Sequence, residues 1–278
     1  KLKMVQENIL VSILVNNYNN QNFLKKSINS CLNQTYKNLE IIIFDDNSTD
    51  NSKKIIKIIK NKKLKKILNS KKKNNPSISL NQFNAIRQSF LKSKGEIIFL
   101  LDSDDYFLKN KVKLIVNLFK KDRKLNFVQD NPIYFYPGKN IKIVKKPKKK
   151  YFTLHTWPYI NPTSTMVFRR NFLKKLLKDI SFSNNYFERI SFDARAFIYI
   201  YFFEKNYLSL KKSLTAYTQN LGGYTIKNYK NRNLNWWERR FQQHSYVKKL
   251  FKKKNKFHFK FIDYYLTKLV KVFYKIIN

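Results

Sequence analysis

The amino-acid sequence predicts an α/β fold with a mostly parallel central sheet flanked by helices. Apolar strand segments and amphipathic helix segments alternate through residues 9–120, and this rhythm is typical of parallel strands joined by helices. Two of the strand segments end abruptly in acids, at Asp45–Asp46 and at Asp102–Asp105. Because ligands bind at the carboxyl ends of such strands, these acids predict a site at one edge of the sheet.

Four strand–helix units account for the first half of the chain. Continuous apolar runs indicate buried strands, and apolar residues spaced three and four apart indicate helices. We expect strands at 9–15, 39–44, 64–68 and 97–101, and helices at 22–33, 50–60, 79–91 and 109–120. Ser48 or Asp50 is the expected cap of the second helix, because short polar side chains accept hydrogen bonds from the first backbone N–H groups of a helix.

The second half is less regular, and its pattern changes twice. Short strand-like runs interrupted by prolines occupy 126–168, and two helices are expected at 172–178 and 192–203. In the last sixty residues, aromatic and basic residues alternate with helical periodicity. We therefore predict a main domain over 1–215, divided near residue 125, and a helical C-terminal extension over 216–278.

The composition indicates a folded protein with an unusual charge. Hydrophobic residues make up 43% of the 278 residues, which is enough for a sizeable core. Lys and Arg total 58 against 17 Asp and Glu, a formal net charge of +41. Such an excess is typical of proteins that bind nucleic acid or anionic membranes. Here it is spread along the chain with abundant Asn and Ile, and no nucleic-acid motif occurs, so codon bias in an AT-rich genome is the favoured explanation.

Single features of the sequence argue against several other classes. Cys31 is the only cysteine, which fits a reducing compartment, and its place on an apolar helix stripe predicts a buried core residue. The three histidines lack the spacing of zinc ligands. No signal peptide is expected, since the first apolar run is too short. No window approaches the ~20 apolar residues of a membrane helix.

Asp102, Asp104 and Asp105 form a compact acidic cluster in a strongly basic chain. Like charges this close repel, and burial raises their pKa values unless a cation neutralises them. Carboxylate oxygens are the ligands that Mg²⁺ and Mn²⁺ prefer, so a divalent metal site is one interpretation. A solvated turn after a strand is the alternative, and the cluster alone does not decide between them.

Polar and aromatic side chains follow the other strands of this edge. Asn16 and Tyr18 come at the end of the first strand, and Asp45 and Asp46 end the second. An aromatic ring stacks on a base, acids accept hydrogen bonds from a base or a ribose, and a metal binds a diphosphate. The three strand ends together therefore suit a nucleoside diphosphate. A helix cap in a turn is the simpler interpretation of the Asp45–Asp46 pair taken alone.

Three segments, in order, resemble the inverting family 2 glycosyltransferases of the GT-A fold. They are 11–19 (VSILVNNYN), 30–50 (SCLNQTYKNLEIIIFDDNSTD) and 94–105 (KGEIIFLLDSDD). The resemblance implies a GT-A (Rossmann-like) catalytic domain in which residues 1–125 bind the nucleotide and residues 126–215 bind the acceptor. It also implies transfer of a sugar, with inversion, from a nucleotide-diphospho-sugar, most often a UDP-sugar. The acceptor would be a saccharide or a lipid-linked glycan.

The resemblance implies donor-binding roles for the matching residues. Asn16 and Tyr18 would line the base pocket, with Tyr18 stacked on the base. Asp46, with Asp45 beside it, would accept hydrogen bonds from the base or the ribose. Arg87 lies near the position of an Arg–Asn pair in relatives, with a shift of one residue in the local alignment.

The acidic cluster receives the metal by the same resemblance. Asp105 would be the principal ligand of Mn²⁺ or Mg²⁺, Asp104 would contact both the ribose and the metal, and Asp102 would support either. Lys109 stands where relatives often carry proline, a departure that concerns the loop and not the chemistry.

Inversion requires a base that deprotonates the acceptor hydroxyl. Asp193 opens a helix in a segment that resembles the one supplying this base, although Phe192 replaces the Glu of most relatives. A carboxylate that simply stabilises a helix N-terminus is the alternative. Glu188 is the second candidate for the base. His155 and Trp157 are candidate acceptor contacts, with a structural role as the alternative.

The basic and aromatic C-terminal extension has two interpretations. It lies on an anionic bilayer near a lipid-linked acceptor, or it packs on the main domain with its lysines in solvent. The resemblance implies a cytoplasmic enzyme of bacterial surface polysaccharide synthesis, at the inner face of the membrane in the first case. Two rival functions remain, a nucleotide-sugar-binding protein without turnover and, less favoured, a nucleic-acid-binding protein.

Overall fold

The computed structural model describes residues 8–70, 77–137, 141–144, 160–181, 184–219, 233–256 and 261–277. Within these ranges the chain forms eleven strands and eight α-helices. The strands are β1 (Val11–Asn17), β2 (Leu39–Asp45), β3 (Leu64–Leu68), β4 (Ile97–Asp102), β5 (Tyr106–Phe107), β6 (Phe127–Gln129), β7 (Pro132–Tyr136), β8 (Ile141–Val144), β9 (Met166–Arg169), β10 (Tyr207–Ser209) and β11 (Thr215–Thr218). The helices are α1 (Gln21–Leu32), α2 (Ser52–Ile58), α3 (Ile78–Lys92), α4 (Lys111–Lys121), α5 (Arg170–Ile180), α6 (Phe192–Phe203), α7 (Leu234–Lys253) and α8 (Phe261–Ile277).

The main sheet has seven strands in the order β10–β6–β9–β4–β1–β2–β3. β1 pairs in parallel with β2 and β4, whereas β9 runs antiparallel to β4 and β6. The mostly parallel sheet predicted from the alternating pattern is therefore confirmed. In this register Asn16 lies opposite Asp102 and Asn17 lies opposite Asp45, so the acidic ends of β2 and β4 flank the end of β1.

Both faces of this sheet are covered by helices. Every residue of β1 and β2 is buried, and their side chains alternate between two apolar clusters. Leu14 and Ile42 face the cluster built with α3, α5, α6 and α7, whereas Ile13 and Ile41 face the cluster built with α1, α2 and α4. Because both faces are buried, continuous apolar runs mark these strands in the sequence. Cys31 is fully buried in the second cluster, as predicted.

The predicted helices and strands of the first half agree with the structure to within two residues at each end. The predicted cap of α2 is wrong in detail. Asn51 is the N-cap residue and makes no side-chain cap, while the Asp50 carboxylate accepts a bond from the Ser52 N–H at 2.9 Å. Ser48 does not cap the helix, because its hydroxyl oxygen accepts instead from the Asn19 N–H at 2.9 Å while its hydroxyl donates to Asp45 at 2.7 Å.

A second sheet, in the order β5–β11–β7–β8, was not predicted. β5 has two residues and β11 has four, which is too short for a recognisable apolar pattern. This sheet brings β11 beside the turn that follows β4, where the Thr218 N–H donates to the Asp105 carboxylate at 2.8 Å. The predicted domain boundary between residues 215 and 216 falls inside β11.

The C-terminal region is helical, as predicted, and α7 belongs to the main core. Tyr246, Val247 and Leu250 are at most 1% exposed and share the apolar cluster of α6. α8 packs on α7, where Asp263 forms an ion pair with Arg240 at 2.6 Å. Of the two interpretations of this region, packing on the main domain therefore holds for α7. None of the helices in the described ranges combines the length and apolar character that crossing a membrane requires.

Candidate functional site

The turn after β2 closes on the end of β1 through Asp45. Its buried carboxylate accepts hydrogen bonds from the Asn17 side-chain amide at 2.7 Å, the Ser48 hydroxyl at 2.7 Å and the Ser48 backbone N–H at 3.0 Å. These bonds occupy both carboxylate oxygens, so Asp45 holds the two strand ends together. Asp46 beside it is also buried and accepts a bond from the Asn69 side-chain amide at 3.1 Å.

Two asparagines with left-handed backbone shape the same turns. Asn19 has φ of 51° and Asn47 has φ of 57°, a region that asparagine tolerates better than most residues with a Cβ. The Asn19 side-chain oxygen accepts a bond from the Thr49 N–H at 2.8 Å, which joins the turn after β1 to the turn after β2. Tyr18 precedes this junction and is 41% exposed, so its ring lies at the surface of the site.

Asp102 ends β4 and is held by a glutamine from α3. The Gln82 side-chain amide donates to the two carboxylate oxygens at 3.0 Å each and also lies 3.3 Å from the Thr163 hydroxyl. On the other side, the amide of Asn16 lies beside Asp102 and favours its ionised form. Gln82 was not predicted, because nothing near it in the sequence indicates that α3 meets the end of β4.

Asp105 is turned into the protein and is 1% exposed. One carboxylate oxygen accepts from the Ser164 hydroxyl at 2.5 Å and the other accepts from the Thr218 N–H at 2.8 Å. The same Ser164 oxygen accepts from the backbone N–H of Asp102 at 3.0 Å, which ties the two ends of the acidic turn to one residue. Asp104, in contrast, is partly exposed.

Burial raises the pKa values of all three carboxyls, and repulsion from neighbouring carboxylates adds to the rise at Asp102 and Asp105. Desolvation, with repulsion from Asp104, raises the pKa of Asp102 to about 7. Desolvation also raises the pKa of Asp104, and desolvation with repulsion from both neighbours raises the pKa of Asp105 well above its ordinary range. The cluster therefore favours a bound proton or a bound cation near neutral pH.

Two residues far apart in the sequence complete the site. Desolvation raises the pKa of Tyr217 on β11, and the charges of Asp105, Asp104, Asp193 and Asp102 raise it further. The charge of Asp193 also raises the pKa of Asp102. These electrostatic couplings locate Asp193 and Tyr217 at the same edge of the sheet as the acidic cluster. Tyr217 was missed by sequence reasoning, because the short strand that carries it is unrecognisable there.

Asp193 lies in the first turn of α6. Its Oδ1 atom accepts hydrogen bonds from the Ser191 hydroxyl and from the Ala194 N–H, the latter at 2.7 Å. The Ser191 hydroxyl in turn accepts from the Arg239 guanidinium of α7 at 3.0 Å. Phe192 is fully buried in the core. Asp193 is the carboxylate at this end of α6 whose charge raises the pKa values of Asp102 and Tyr217.

A buried ion pair supports the segment around Asp105. The Lys111 ammonium lies 2.7 Å from the Asp130 carboxylate, 2.8 Å from the Ser164 carbonyl oxygen and 2.5 Å from the Thr215 hydroxyl. Desolvation lowers the pKa of Lys111, and the charge of Asp130 opposes that shift. Because Ser164 also binds Asp105, this pair fixes the segment that holds the acidic cluster. In a chain so rich in lysine, no sequence signal distinguishes Lys111.

The acidic cluster fits a divalent cation as a partial set of ligands. In the described ranges, no three Asp, Glu, His or Cys side chains converge closely enough to enclose a metal ion. Mg²⁺, however, is commonly held by one or two carboxylates, with waters and substrate phosphates completing its shell. Asp104 and Asp105 suit that arrangement, because a dication would offset the cost of ionising two desolvated carboxyls.

Four predicted residues lie away from these contacts or outside the described ranges. Arg87 is exposed on α3, about 140° of helical rotation from Gln82, so the two face different directions. Glu188 is half-buried ahead of α6, and its backbone carbonyl accepts from the Ser77 hydroxyl at 2.6 Å. His155 and Trp157 lie outside the residues that the structure describes.

Solved structures of low sequence identity share the fold. The mannosyltransferase PcManGT from Pyrobaculum calidifontis, solved with GDP-Man and Mn²⁺, matches 94% of this chain over 69% of its own, with a TM-score of 0.58 and 14% identity. S. aureus TarS 1–349, solved with UDP-GlcNAc, matches 86% of this chain over 66% of its own, with a TM-score of 0.58 and 18% identity. These neighbours confirm the predicted GT-A fold.

Curated relatives are similar over about half of the chain. An uncharacterised glycosyltransferase of Haemophilus influenzae is 33% identical over 147 residues, 52% of this chain and 56% of the relative. The Escherichia coli UDP-Glc:α-D-GlcNAc-diphosphoundecaprenol β-1,3-glucosyltransferase WfaP is 35% identical over 127 residues, 45% of this chain and 44% of the relative. The chain thus spans about half the length of these relatives.

The family comparison covers the acidic turns and the start of α6 together. The model described as glycosyl transferase family 2 matches residues 12–192, which is more than half of the chain. That range includes the strand ends of β1, β2 and β4 and reaches the residue before Asp193. The chain therefore belongs to glycosyl transferase family 2.

Proposed function

We propose that this protein is an inverting glycosyltransferase that moves a sugar from a nucleotide-diphospho-sugar, a UDP-sugar in our assignment, to a saccharide or lipid-linked glycan. The observation that supports the proposal is that the charge of Asp193 raises the pKa values of Asp102 in the acidic cluster and of Tyr217 beside it. Such an arrangement supplies both a cation-binding side for a diphosphate and a separate carboxylate for proton transfer.

On the donor side, we assign Asn16 and Tyr18 to the base and Asp46 to the base or ribose. The hydrogen bonds of Asp45 within the turn favour a structural role for it beside Asp46. The choice of UDP is supported by the E. coli relative, a UDP-Glc-dependent glucosyltransferase, and by TarS, solved with UDP-GlcNAc. PcManGT was solved with GDP-Man, so the fold accepts other bases as well.

Asp104 and Asp105 would hold Mn²⁺ or Mg²⁺, with Asp102 supporting the turn between them and β4. When bound, the ion would supply positive charge that stabilises the nucleoside diphosphate as its bond to the sugar breaks. Ser164 and Thr218 orient the Asp105 carboxylate by donating to both of its oxygens. Because that carboxylate is already fixed, it needs little rearrangement to bind an ion. The Mn²⁺ in PcManGT supports a divalent ion in this fold.

We assign Asp193 as the base that takes the proton of the acceptor hydroxyl. As the hydroxyl oxygen bonds to the anomeric carbon, the bond from that carbon to the diphosphate breaks and the configuration inverts. Ser191 and the Ala194 N–H both donate to Oδ1, so we assign the incoming proton to Oδ2. Arg239 holds Ser191 from α7, and these contacts keep the carboxylate in one orientation.

For the setting, we propose bacterial surface polysaccharide synthesis with an acceptor on a lipid carrier. The activity of the E. coli relative, transfer of glucose to GlcNAc-diphosphoundecaprenol, supports this class of acceptor. Such lipid carriers are reached from a membrane surface, so we propose a cytoplasmic protein that works at the inner face of the membrane. Lipid-linked and free oligosaccharide acceptors are distinguished by assaying both with the same donor.

The central test is metal-dependent binding of nucleotide sugars. A thermal-shift panel of UDP- and GDP-sugars, with and without Mn²⁺, should show a rise in Tm for one donor class that requires the ion. The variant Asp104→Asn, which keeps the shape of the side chain, should lose the Mn²⁺-dependent part of that rise. A panel in which no donor shifts the Tm with Mn²⁺ would refute the proposal.

The assignment of the base is tested by Asp193→Asn. Loss of general base catalysis should lower kcat by about 10²–10⁴-fold, while the thermal shift produced by the donor stays unchanged. Glu188→Gln is the matched control, and it should keep most of the transfer activity. If Glu188→Gln were inactive and Asp193→Asn active, Glu188 would be the base. Donor binding without turnover in the unmodified protein would instead favour a nucleotide-sugar-binding protein.

A further inference from the structure

One face of α8 exposes a stripe of large apolar side chains. Its opposite face is buried against the protein, where Asp263 and Thr267 are at most 7% exposed. The exposed members recur at the one-, three- and four-residue intervals that line one side of a helix. They are Tyr265 at 56%, Leu266 at 45%, Leu269 at 67%, Val272 at 48%, Phe273 at 61% and Ile276 at 77% exposure. We call these six residues the α8 stripe.

The α8 stripe differs from the other exposed apolar residues of the described ranges. Elsewhere such residues are dispersed over several elements, as with Ile58 on α2 and Leu91 on α3. Scattered apolar residues are normal at protein surfaces, whereas a contiguous apolar patch marks a surface that contacts a partner or a membrane. Six apolar side chains on one face of a single helix therefore indicate a docking surface.

The charged residues near the stripe indicate which kind of partner surface it contacts. Lys268 is exposed beside it, and Lys271 extends from the same helix over the Phe241 ring, 4.4 Å from its centroid. The only acid of α8, Asp263, is buried in its ion pair with Arg240. An apolar stripe bordered by lysines is typical of helices that lie in the interface of an anionic bilayer.

Net charge argues against a second copy of the chain as the occupant. Each copy carries a formal net charge of +41, and a large net charge of one sign keeps proteins apart. The same charge attracts the protein to anionic lipids. Charge complementarity thus favours a bilayer over a like-charged protein surface.

We propose that α8 docks this protein on an anionic lipid bilayer, with the stripe among the headgroups and the adjoining lysines on lipid phosphates. This deepens the proposed function, on which it rests for the presence of a lipid-linked acceptor. The aromatic residues Trp236, Trp237 and Phe251 of α7 would not meet the membrane. In the structure Phe251 is buried and the two tryptophans are partly buried.

The first test measures binding to vesicles of stated composition. The full chain should sediment with vesicles of phosphatidylcholine and phosphatidylglycerol, and much less with phosphatidylcholine alone. Leu269→Glu/Phe273→Glu should weaken this binding by about tenfold or more, because both side chains would carry charge into the interface. Ile58→Glu is the matched control, since Ile58 is 74% exposed on α2 and should leave binding unchanged.

A second measurement keeps the proposal testable if the double variant folds poorly. Cys31 is the only cysteine of the chain, and burial raises the pKa of its thiol to about 12, so it should resist labelling. Phe273→Cys carrying an environment-sensitive fluorophore should shift to shorter wavelength when anionic vesicles are added. The same label at Ile58→Cys should not shift.

Three results would overturn the docking proposal. The first is equal sedimentation of the double variant and the unmodified protein, and the second is equal binding to neutral and anionic vesicles. The third is a dimer in light scattering that the double variant abolishes, which would make the stripe an interface between copies. Metal-dependent donor binding in solution does not involve α8, so its persistence separates failure of docking from failure of the proposed function.

Discussion

At the scale of single residues, the acids at the carboxyl ends of β2 and β4 and at the start of α6 differ in the hydrogen bonds that their carboxylates accept from the protein. Asp45 and Asp105 each accept bonds from protein donors on both carboxylate oxygens. Asp193 accepts its bonds on Oδ1, and Asp104 is partly exposed. These bonds hold Asp45 within its turn and keep Asp105 in the orientation proposed for the ion, whereas Asp104 and Asp193 are the acids whose side chains we expect to move most when a ligand binds.

Asp102 should make stability depend on pH. Its pKa is about 7 in the folded chain and about 3.9 when unfolded, so the folded state retains a proton that the unfolded state loses. Stability therefore falls as pH rises from about 4 to about 7. In metal-free buffer the Tm should fall between about pH 5 and pH 7.5. The pKa values of Asp104, Asp105 and Asp130 are raised as well and add to this fall, so Asp102→Asn should reduce the slope without abolishing it. Differential scanning fluorimetry of both proteins measures it.

Two acids with lowered pKa values, Asp50 and Asp263, do not contribute to that slope. Asp50 and Asp263 have lowered pKa values, so their contributions to stability are lost only as pH falls below about 4. They do not act in the range where Asp102 titrates. Mn²⁺ should reduce the slope of the unmodified protein, because a cation favours the ionised cluster. Identical slopes for the unmodified protein and Asp102→Asn would show that Asp102 does not cause the effect.

At the scale of elements, the site depends on contacts that the short strands make with distant segments. The Lys111–Asp130 pair joins α4 to the segment after β6, and both residues contact Thr215 at the start of β11. The Asp130 carboxylate also accepts from the Leu214 N–H at 2.9 Å. The pair thus positions β11, the strand that brings Tyr217 and Thr218 to the acidic cluster.

Breaking this pair should be costly. Lys111→Met leaves the Asp130 carboxylate buried without its cation, and such a loss typically costs about 3–5 kcal/mol of unfolding free energy. The double variant Lys111→Met/Asp130→Leu removes the unpaired charge as well and should recover part of the loss. Urea denaturation measures both. A double variant no more stable than Lys111→Met would show that the lost hydrogen bonds, and not the stranded charge, dominate.

Sequence reasoning succeeded where local pattern determines structure. β1, β2 and β4 are buried on both faces, so unbroken apolar runs marked them, and α6 begins and ends at the residues expected. Gln82, Lys111 and Tyr217 could not be found in this way. Each reaches the site through a tertiary contact with a segment at least 19 residues away, and a single sequence carries no signal of such pairing.

At the scale of the whole molecule, the C-terminal region divides into two helices with different roles. α7 fills the core against α6 and the loop before it, with Tyr246 and Leu250 fully buried. Its Arg239 also contacts Ser191 beside Asp193. The apolar side chains of the α8 stripe, in contrast, are exposed to solvent. The extension predicted from sequence is thus partly an integral layer of the catalytic fold and partly a surface.

This division predicts a large loss of stability when Leu250 is truncated and almost none when Leu269 is truncated. Leu250→Ala removes a fully buried side chain from the main core, which should cost about 2–5 kcal/mol. Leu269→Ala truncates a side chain that is 67% exposed on α8 and should change stability by no more than about 0.5 kcal/mol. Urea unfolding of the two variants tests this. A small loss for Leu250→Ala would mean that α7 is not part of the cooperative core.

The joined turns after β1 and β2 have a consequence for the thermodynamics of binding. Asp45 accepts hydrogen bonds from both Asn17 and Ser48, and the Asn19 side chain joins the first turn to Thr49, so hydrogen bonds between protein groups hold the two turns together. A molecule that enters this edge therefore meets loops whose conformational entropy was already lost on folding. The entropic penalty of association falls mainly on the ligand. Encounter, and not a change of shape in these turns, then limits the association rate.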